Sequence, residues 1–515
     1  MDPDDLCSGP FFRLRLSRTA DPTELVRLFP RAGPGEVVTA GLSATLKGAH
    51  LVEDLVVANP ACETMLRRLL TAMTVRIAGL DAAADPGEWY RHLAALIRRG
   101  RLPARAVDAY IRPLRGRLRL SVLLQDPRLR EECSKSAAPG KLAMDRPSGH
   151  NQPWRPHTPE HEPLEAANAL LWVLAWQGFG PSGMGALRAY DGVVSKQMRA
   201  GALRGSISYH PLGDTLFAGL VLGCPPPHLW PDPPGDDRAP WEREDLPDPL
   251  HPVVPGGPAT LLIGRSAHAV LLDLDPDRTK AVGCWVAWAT RTPVPPAADP
   301  FLIHYQKGFR HADARRHLLR DFDALVHAAV PGATPAKGIT MPAWLGTLAA
   351  LPKETLDALG PVRVRALGCQ QQSQERGEVQ WVSETTPAGI AAFLPGHDPA
   401  REVCLGRLHT DTEEAADTLR YCLRGAWQQM APGTADQAPW LDDALGQYWD
   451  TADRLFWPAA VNGGDLPDFA HTALGLYDTH TLPYAARPPG LAAIARHRRP
   501  LDRLARRSAP RGTPP

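Results

Sequence analysis

The chain predicts an α+β fold: a large mixed α/β N-terminal body with long loops, then an all-helical C-terminal four-helix bundle. Three observations carry this. Short apolar runs with strand character cluster between residues 259 and 367, whereas beyond about residue 400 only helical apolar stripes occur. Proline accounts for 54 of 515 residues, about twice average usage, and gathers in irregular stretches, so long connections are expected. At this length one ordinary core is insufficient, and the expected division is 1–395 for the mixed body and 396–515 for the bundle with its basic tail.

The elements follow in order. Residues 48–80 carry the strongest helical pattern, with Leu51, Leu55 and Val56 leading into Glu63 to Met73 and Asn59-Pro60 as a start signal. Two shorter helices are predicted at 88–99 and 104–111. From Pro139 to Pro163 the chain is polar and aperiodic, a loop long enough to suggest function. A helix over 164–177 runs into the glycine-rich stretch Gly178-Phe179-Gly180-Pro181-Ser182-Gly183-Met184-Gly185. After the polar Ala200 to Gly205 comes the apolar run Leu216 to Leu222, and a proline-rich irregular segment fills 223–258. Strands are expected at Ala259–Ile263, Ala269–Leu274, Ala281–Ala289, Phe301–Tyr305 and Val362–Leu367, with Asp275-Pro276-Asp277 turning the second into the third. Helices at 412–430, 440–456, 466–477 and 491–505 supply the bundle.

Composition excludes several classes. A formal net charge of +1 argues against a mass binder of nucleic acid, although a local basic surface is compatible with it. The eight cysteines are scattered, without CxxC or zinc-finger spacing, and read as reduced thiols. The acidic start Met1-Asp2-Pro3-Asp4-Asp5 is unlike a signal peptide, and no apolar run approaches bilayer length. The expectation is a cytoplasmic protein with no membrane contact.

The glycine stretch invites a dinucleotide-binding reading, but a Rossmann phosphate loop leaves a strand and opens a helix. Here a helix precedes it, so the order is inverted. No phosphate-loop lysine motif, HExxH, GxSxG or kinase signature occurs, and Asp214 and Glu242 are lone carboxylates. His157, His161 and Glu162 lie in a proline-interrupted loop that gives no fixed ligand geometry. No catalytic residue, metal site or cofactor is therefore expected. What remain are candidate nucleic-acid contacts. Gly178, Gly180, Gly183 and Gly185 allow close backbone approach, Lys307 ends a predicted strand, and Gln370 to Gln374 present amide side chains at a hairpin tip.

In order and spacing these segments resemble the CasA family, the large subunit of the type I-E Cascade CRISPR effector. The matching segments include Glu63 to Ala72, Pro147-Ser148-Gly149-His150-Asn151-Gln152-Pro153-Trp154, Gly178-Phe179-Gly180 and Ala200-Gly201 with Gly213-Asp214-Thr215-Leu216. They continue through Ala239-Pro240-Trp241-Glu242-Arg243, Gly256 to Leu262 with Arg265, Asp299 to Lys307 and Gly368 to Trp381. The resemblance spans roughly residues 40–505. It departs at Arg117-Leu118-Arg119-Leu120-Ser121, where the family has an arginine-phenylalanine-aspartate-leucine-phenylalanine segment, so the chain reads as a divergent member.

The resemblance implies a nonenzymatic subunit that reads the protospacer-adjacent motif of target double-stranded DNA through the minor groove. It also implies help in opening the duplex for guide pairing (R-loop formation), and docking of the effector helicase-nuclease. Gly178, Gly180, Gly183, Gly185 and Lys307 would meet the motif, and Gln371, Gln372 and Gln374 would supply a wedge under the first base pair. Asn151 and Trp154 would contact the CRISPR RNA and neighbouring Cascade subunits. Two other readings stay open: a scaffold that recruits partners without touching DNA, and a nucleotide-binding enzyme using Gly178 to Gly185.

Overall fold

The computed structural model describes residues 2–146, 161–251, 253–292, 298–326, 338–371, 379–388, 399–463 and 466–508. The chain separates into two units, residues 1–313 with 340–385, and residues 314–339 with 386–515.

The first unit opens with an antiparallel sheet in which β1 (Phe12–Leu16) lies between β2 (Val37–Ala40) and β3 (Val52–Leu55). The connections contain α1 (Pro22–Leu28) and α2 (Leu42–Lys47). The predicted helix over 48–80 is thus two elements: Val52–Leu55 pairs as a strand, and α3 (Pro60–Ala78) begins where the sequence signals it. Asn59 Oδ1 accepts from the Ala61 N–H at 2.9 Å, Pro60 occupies the first turn, and Gly79 ends the helix at φ 67°.

Next come α4 (Pro86–Arg99), α5 (Ala104–Leu114) and the single turn α6 (Leu129–Glu132). A two-residue β4 (Leu164–Glu165) leads into α7 (Ala166–Phe179). The hairpin of β5 (Gly183–Tyr190) and β6 (Val193–Met198) follows, then β7 (Ile207–Leu212) and α8 (Leu216–Leu222).

Residues 258–262 form a helical turn, α9 (Pro258–Leu262), and not the expected strand. The reason lies outside the segment. Asp237 receives hydrogen bonds from the N–H groups of Ala259 (3.2 Å) and Thr260 (2.9 Å), capping a turn that Pro258 begins.

The hairpin β8 (His268–Leu274) and β9 (Lys280–Trp288) appears where predicted, with β4 on the far edge of β9. Phe301–Tyr305, expected as a strand, makes only isolated bridges through His304. After α10 (Phe322–Val326), which belongs to the second unit, the first unit resumes. It contains α11 (Ala343–Ala350), α12 (Lys353–Leu359), β10 (Arg363–Gln370) and β11 (Gln380–Thr385). The last two join β7 in an antiparallel sheet ordered β11-β10-β7.

The second unit is helical: α13 (Pro399–Met430), α14 (Leu441–Asn462), α15 (Phe469–Thr481) and α16 (Pro488–Ser508). Buried hydroxyls and an indole pin these helices together. Tyr448 donates to the Thr412 carbonyl at 2.7 Å, Tyr477 to that of Ile494 at 2.9 Å, and Trp440 Nε1 to that of Leu423 at 3.2 Å. On α16 the buried Ala493, Leu501, Leu504 and Ala505 oppose a face of exposed arginines, Arg496, Arg499, Arg503 and Arg506.

The centre of the first unit is α3. All but Arg76 and Ala78 of its residues are buried, charged side chains included. Arg68 forms a bidentate pair with Asp299, both bonds 2.8 Å, at 1% and 5% side-chain exposure. Glu63 accepts from Arg67 at 2.8 Å and from Arg365 of β10 at 2.9 Å. Burial works against the charged form of both carboxylates. The neighbouring arginines outweigh it and hold both pKa values below the ordinary range.

Arg68→Ala should therefore cost about 3–5 kcal/mol, because it strands a buried carboxylate. A lowered urea midpoint would register this, and Arg68→Met combined with Asp299→Leu should recover much of the loss. An unchanged midpoint in Arg68→Ala would contradict the account.

Candidate nucleic-acid interface

The continuous apolar run of α7 is explained by its burial, with Leu170, Val173, Leu174 and Trp176 all at 1% exposure or less. The helix packs on α3 and reaches its end at a point of very close approach. Gly178 and Gly180 are both buried. A Cβ on Gly178 would lie 2.7 Å from Met65 Sδ and 3.0 Å from Leu203 Cδ1, and one on Gly180 would strike the His268 ring. The backbone here is bonded to residues 201–203. Gly201 N–H donates to the Gly180 carbonyl at 2.8 Å and Leu203 N–H to that of Gly178 at 2.9 Å. Gly201 is required for the same reason, since any Cβ would collide with the Gly178 carbonyl.

The glycine stretch is thus not one exposed loop. Gly178 closes a helix, Gly180 is packed, and Gly183 and Gly185 begin β5. Ser182, Gly183 and Met184 form the exposed part, Met184 at 71%. Gly183 sits at φ +134° with open space around it, so there glycine serves backbone conformation and not packing. Helix precedes strand, the inverse of a dinucleotide loop.

The hairpin carrying this exposed part is fixed from below. Arg188 is fully buried and donates to Glu132 (2.6 Å), Asp126 (2.9 Å) and the Trp288 carbonyl (2.7 Å). His268 holds the other side, with Nε2 3.0 Å from the Pro181 carbonyl. Burial lowers the His268 pKa to about 4, so the ring is neutral at pH 7 and Nε2 is the donor.

Arg204 joins this segment to the glutamine run. Its NH1 donates to the Phe179 carbonyl at 2.9 Å and its Nε to Gln371 Oε1 at 2.6 Å. The next residues lead to Lys307. Ala312 N–H donates to the Gly205 carbonyl at 2.9 Å, Cys369 N–H to that of Ser206 at 3.3 Å, and Ser206 pairs with His311. From His311 the chain runs back to a tight turn, closed by Tyr305 N–H donating to Gly308 O at 3.0 Å, with Gln306 and Lys307 exposed at its tip. Lys307 makes no hydrogen bond or ion pair among the described residues. The base of this turn is tied to α3 through Asp299.

The structure therefore brings together the exposed glycine strand, Gln371 and the stem of the Lys307 turn, although they lie up to 190 residues apart. Asn151, Trp154, Gln372 and Gln374 lie outside the described residues. Arg204 and His268 escaped sequence reading. Arg204 lies in the polar stretch Ala200 to Gly205, but nothing local signals partners 25 and 167 residues away. Glu242 is structural: it accepts from Tyr110 Oη at 2.7 Å, the Ala239 N–H at 2.7 Å and Arg76 at 3.2 Å. Among the described residues no group of three or more His, Cys, Asp or Glu is placed to hold a metal, and no helix is long and apolar enough to cross a membrane.

Fold and site together define a two-unit α+β protein. It presents a glycine strand, a lysine turn and a glutamine at one end of the β7–β10 pairing. Comparison with known proteins narrows this. Residues 30–474 match the model of the CRISPR-associated protein Cse1 family. A solved chain of a CRISPR RNA-guided surveillance complex is 33% identical, with TM-score 0.81, covering 97% of this chain and 99% of that one. A chain of a pre-nicking surveillance complex is 32% identical, with TM-score 0.75 and coverage of 96% and 98%. Thermus thermophilus CasA (Cse1), at 19% identity and TM-score 0.72 over 98% and 100%, shares the fold. No curated protein sequence matches. The chain belongs to the CasA/Cse1 family.

The buried imidazoles give a pH signature. His268 and His210 both have pKa values depressed by burial, His210 further by Arg68, Arg67 and Arg365. The unfolded chain thus binds protons that the folded chain refuses. Stability is full above the ordinary histidine pKa of 6.5 and falls as pH drops towards 4. His268 should contribute roughly 1 kcal/mol per pH unit in that window, and His210 acts in the same direction. Urea midpoints measured from pH 7 to 4.5 should fall, and His268→Gln should flatten the slope. A midpoint independent of pH would refute this assignment.

Proposed function

We propose that this chain is the nonenzymatic large subunit of a type I-E Cascade RNA-guided surveillance complex. In this reading it recognises the protospacer-adjacent motif in target duplex DNA and helps open that duplex. The observation that carries it is the stitching of three segments into one neighbourhood by the Arg204 bonds and the Gly205–Ala312 bond. The likeness to a surveillance-complex chain over nearly its whole length supports the same reading.

The parts divide the work. Ser182 and Gly183 offer exposed backbone with little side-chain bulk, suited to close approach along a minor groove, and the exposed Met184 follows them. Gly178 and Gly180 act indirectly, by letting α7 end against residues 201–203. Lys307 carries an exposed ammonium on a turn fixed at its base. The minor groove shows few distinguishing groups, so one lysine and backbone amides read a short motif with tolerance. Gln371, Gln372 and Gln374 are assigned to the wedge, which separates the first pair at a cost of a few kcal/mol per unstacked step. Guide pairing then supplies the remaining sequence specificity. Asn151 and Trp154 are assigned to the CRISPR RNA and neighbouring subunits, and the helical unit to docking of the helicase-nuclease.

With assembled complex and a motif-bearing duplex, Lys307→Ala should weaken binding about 5- to 100-fold and reduce the salt dependence by about one ion. Wild-type affinity and slope in a mobility-shift titration would overturn the lysine assignment. Gln372→Ala with Gln374→Ala should instead spare initial duplex binding and slow strand opening, seen with 2-aminopurine at the first protospacer pair. Unchanged opening would remove the wedge role.

A further inference from the structure

Behind the Lys307 turn lies a cavity of about 770 Å³ that neither the glycine strand nor the glutamine run uses. Its walls include Leu302, His304, Tyr305, Phe309 and Met341, with Arg265 at its boundary. The volume is within the range of small-molecule and cofactor sites, and three features give the chamber a chemical preference.

The first is charge. Arg265 follows the short α9 and is half-buried, and its one hydrogen bond among the described residues is from NH2 to the Leu261 carbonyl at 3.2 Å. The nearby carboxylate is Asp299, whose oxygens already accept two bonds from Arg68 and one from the Phe301 N–H. Two guanidinium groups therefore share one carboxylate, and Arg265 is left as a half-buried cation without a contacting anion among the described residues. A half-buried charge in this position is costly unless something neutralises it.

The second feature is aromatic. Tyr305 is 37% exposed yet held firmly, its hydroxyl accepting from Arg310 Nε at 2.6 Å and the Arg310 guanidinium lying 5.5 Å from its ring centre. Phe309 lines the cavity beside it. The third feature is polarity: apart from Arg265, Asp299, His228 and His304, the lining is mainly apolar, so a bound anion would find little competing negative charge.

We propose that this cavity binds a nucleotide, with Arg265 receiving its phosphate and the Tyr305–Phe309 wall its base. A planar, forked guanidinium matches phosphate oxygens, and an aromatic wall accepts any base by stacking. The phosphate belongs either to a free mononucleotide or to one residue of a nucleic-acid strand. The assignment does not depend on the duplex-reading role of Lys307.

The test uses the full chain and three probes in calorimetric titration: inorganic phosphate, a deoxynucleoside monophosphate and a short single-stranded oligonucleotide. The mononucleotide should bind, and more tightly than phosphate alone. Arg265→Met should reduce that binding at least 10-fold while the thermal midpoint of the ligand-free protein stays level or rises, because an unneutralised charge is removed. Arg265→Lys should retain part of the affinity. Lys307→Ala should bind the mononucleotide like wild type, which separates this site from the duplex contact. Oligonucleotide binding lost in Arg265→Met without mononucleotide binding would assign the phosphate to a strand. Failure of wild type to bind any probe at millimolar concentration would overturn the proposal. So would a lowered midpoint in Arg265→Met, which would make the guanidinium a structural element.

Discussion

The first unit is organised around charges that α3 takes out of water. A buried helix with three arginines and a glutamate is an expensive centre unless each charge meets a fixed partner. Apart from the Glu63–Arg67 pair within the helix and the nearby Asp81, the partners come from distant parts of the chain. Arg67 and Glu63 tie in Asp54 of β3 and Arg365 of β10. Arg68 takes Asp299, and Arg76 takes Asp81, Asp237 and Glu242. Because a half-made pair is worse than none, the sheet strand, the Lys307 turn and the 237–242 segment must all be in place together. The helix thus sets positions as well as stability, and it does so for segments whose own sequences are irregular.

Asp237 links two of these roles. Its carboxylate faces Arg76 at 3.1 Å and at the same time receives the N–H groups and hydroxyl that cap α9. That position places Arg265 three residues beyond the helical turn, beside Asp299 and the cavity. One acid therefore connects the α3 framework to the shape of a distant loop, and the linkage is invisible to any local pattern.

This explains what sequence reading recovered. Elements with local signals were legible. Asn59-Pro60 and Gly79 bracket α3, alternation marks β9, and Asp275-Pro276-Asp277 turns β8 into β9. The helices beyond residue 400 show their apolar stripes directly. Elements defined by distant partners were misread. Residues 259–263 carry β-compatible side chains but are capped from Asp237, and 301–305 follow Asp299, which is anchored on α3, and meet their neighbours through single backbone bonds in place of a ladder. The candidate site was legible as a set of unusual residues and, through resemblance, as a set that belongs together. Why they belong together was not, because Arg204 acts through partners far along the chain. The glycines look alike in sequence, yet Gly180 answers to the His268 ring and Gly183 to its own backbone angle.

That last difference bears on how such a surface reads DNA in the proposed role. A contact surface meant to tolerate several motifs needs few directional side chains, because each bidentate pair to a base edge adds about 1–3 kcal/mol of discrimination. Near the exposed strand two arginines are committed to the frame. Arg188 and Arg204 are turned inward onto carboxylates, carbonyls and an amide, and Lys307, a single flexible ammonium, is left outward. Lysine offers charge without the fixed fork of arginine. Arg188 and Arg204 use the arginine fork to hold the frame rigid. In the proposed role the surface would offer the groove exposed backbone at Ser182 and Gly183 together with outward charge from Lys307, Lys196 and Arg199, and would favour location of a short motif over strict reading of its letters.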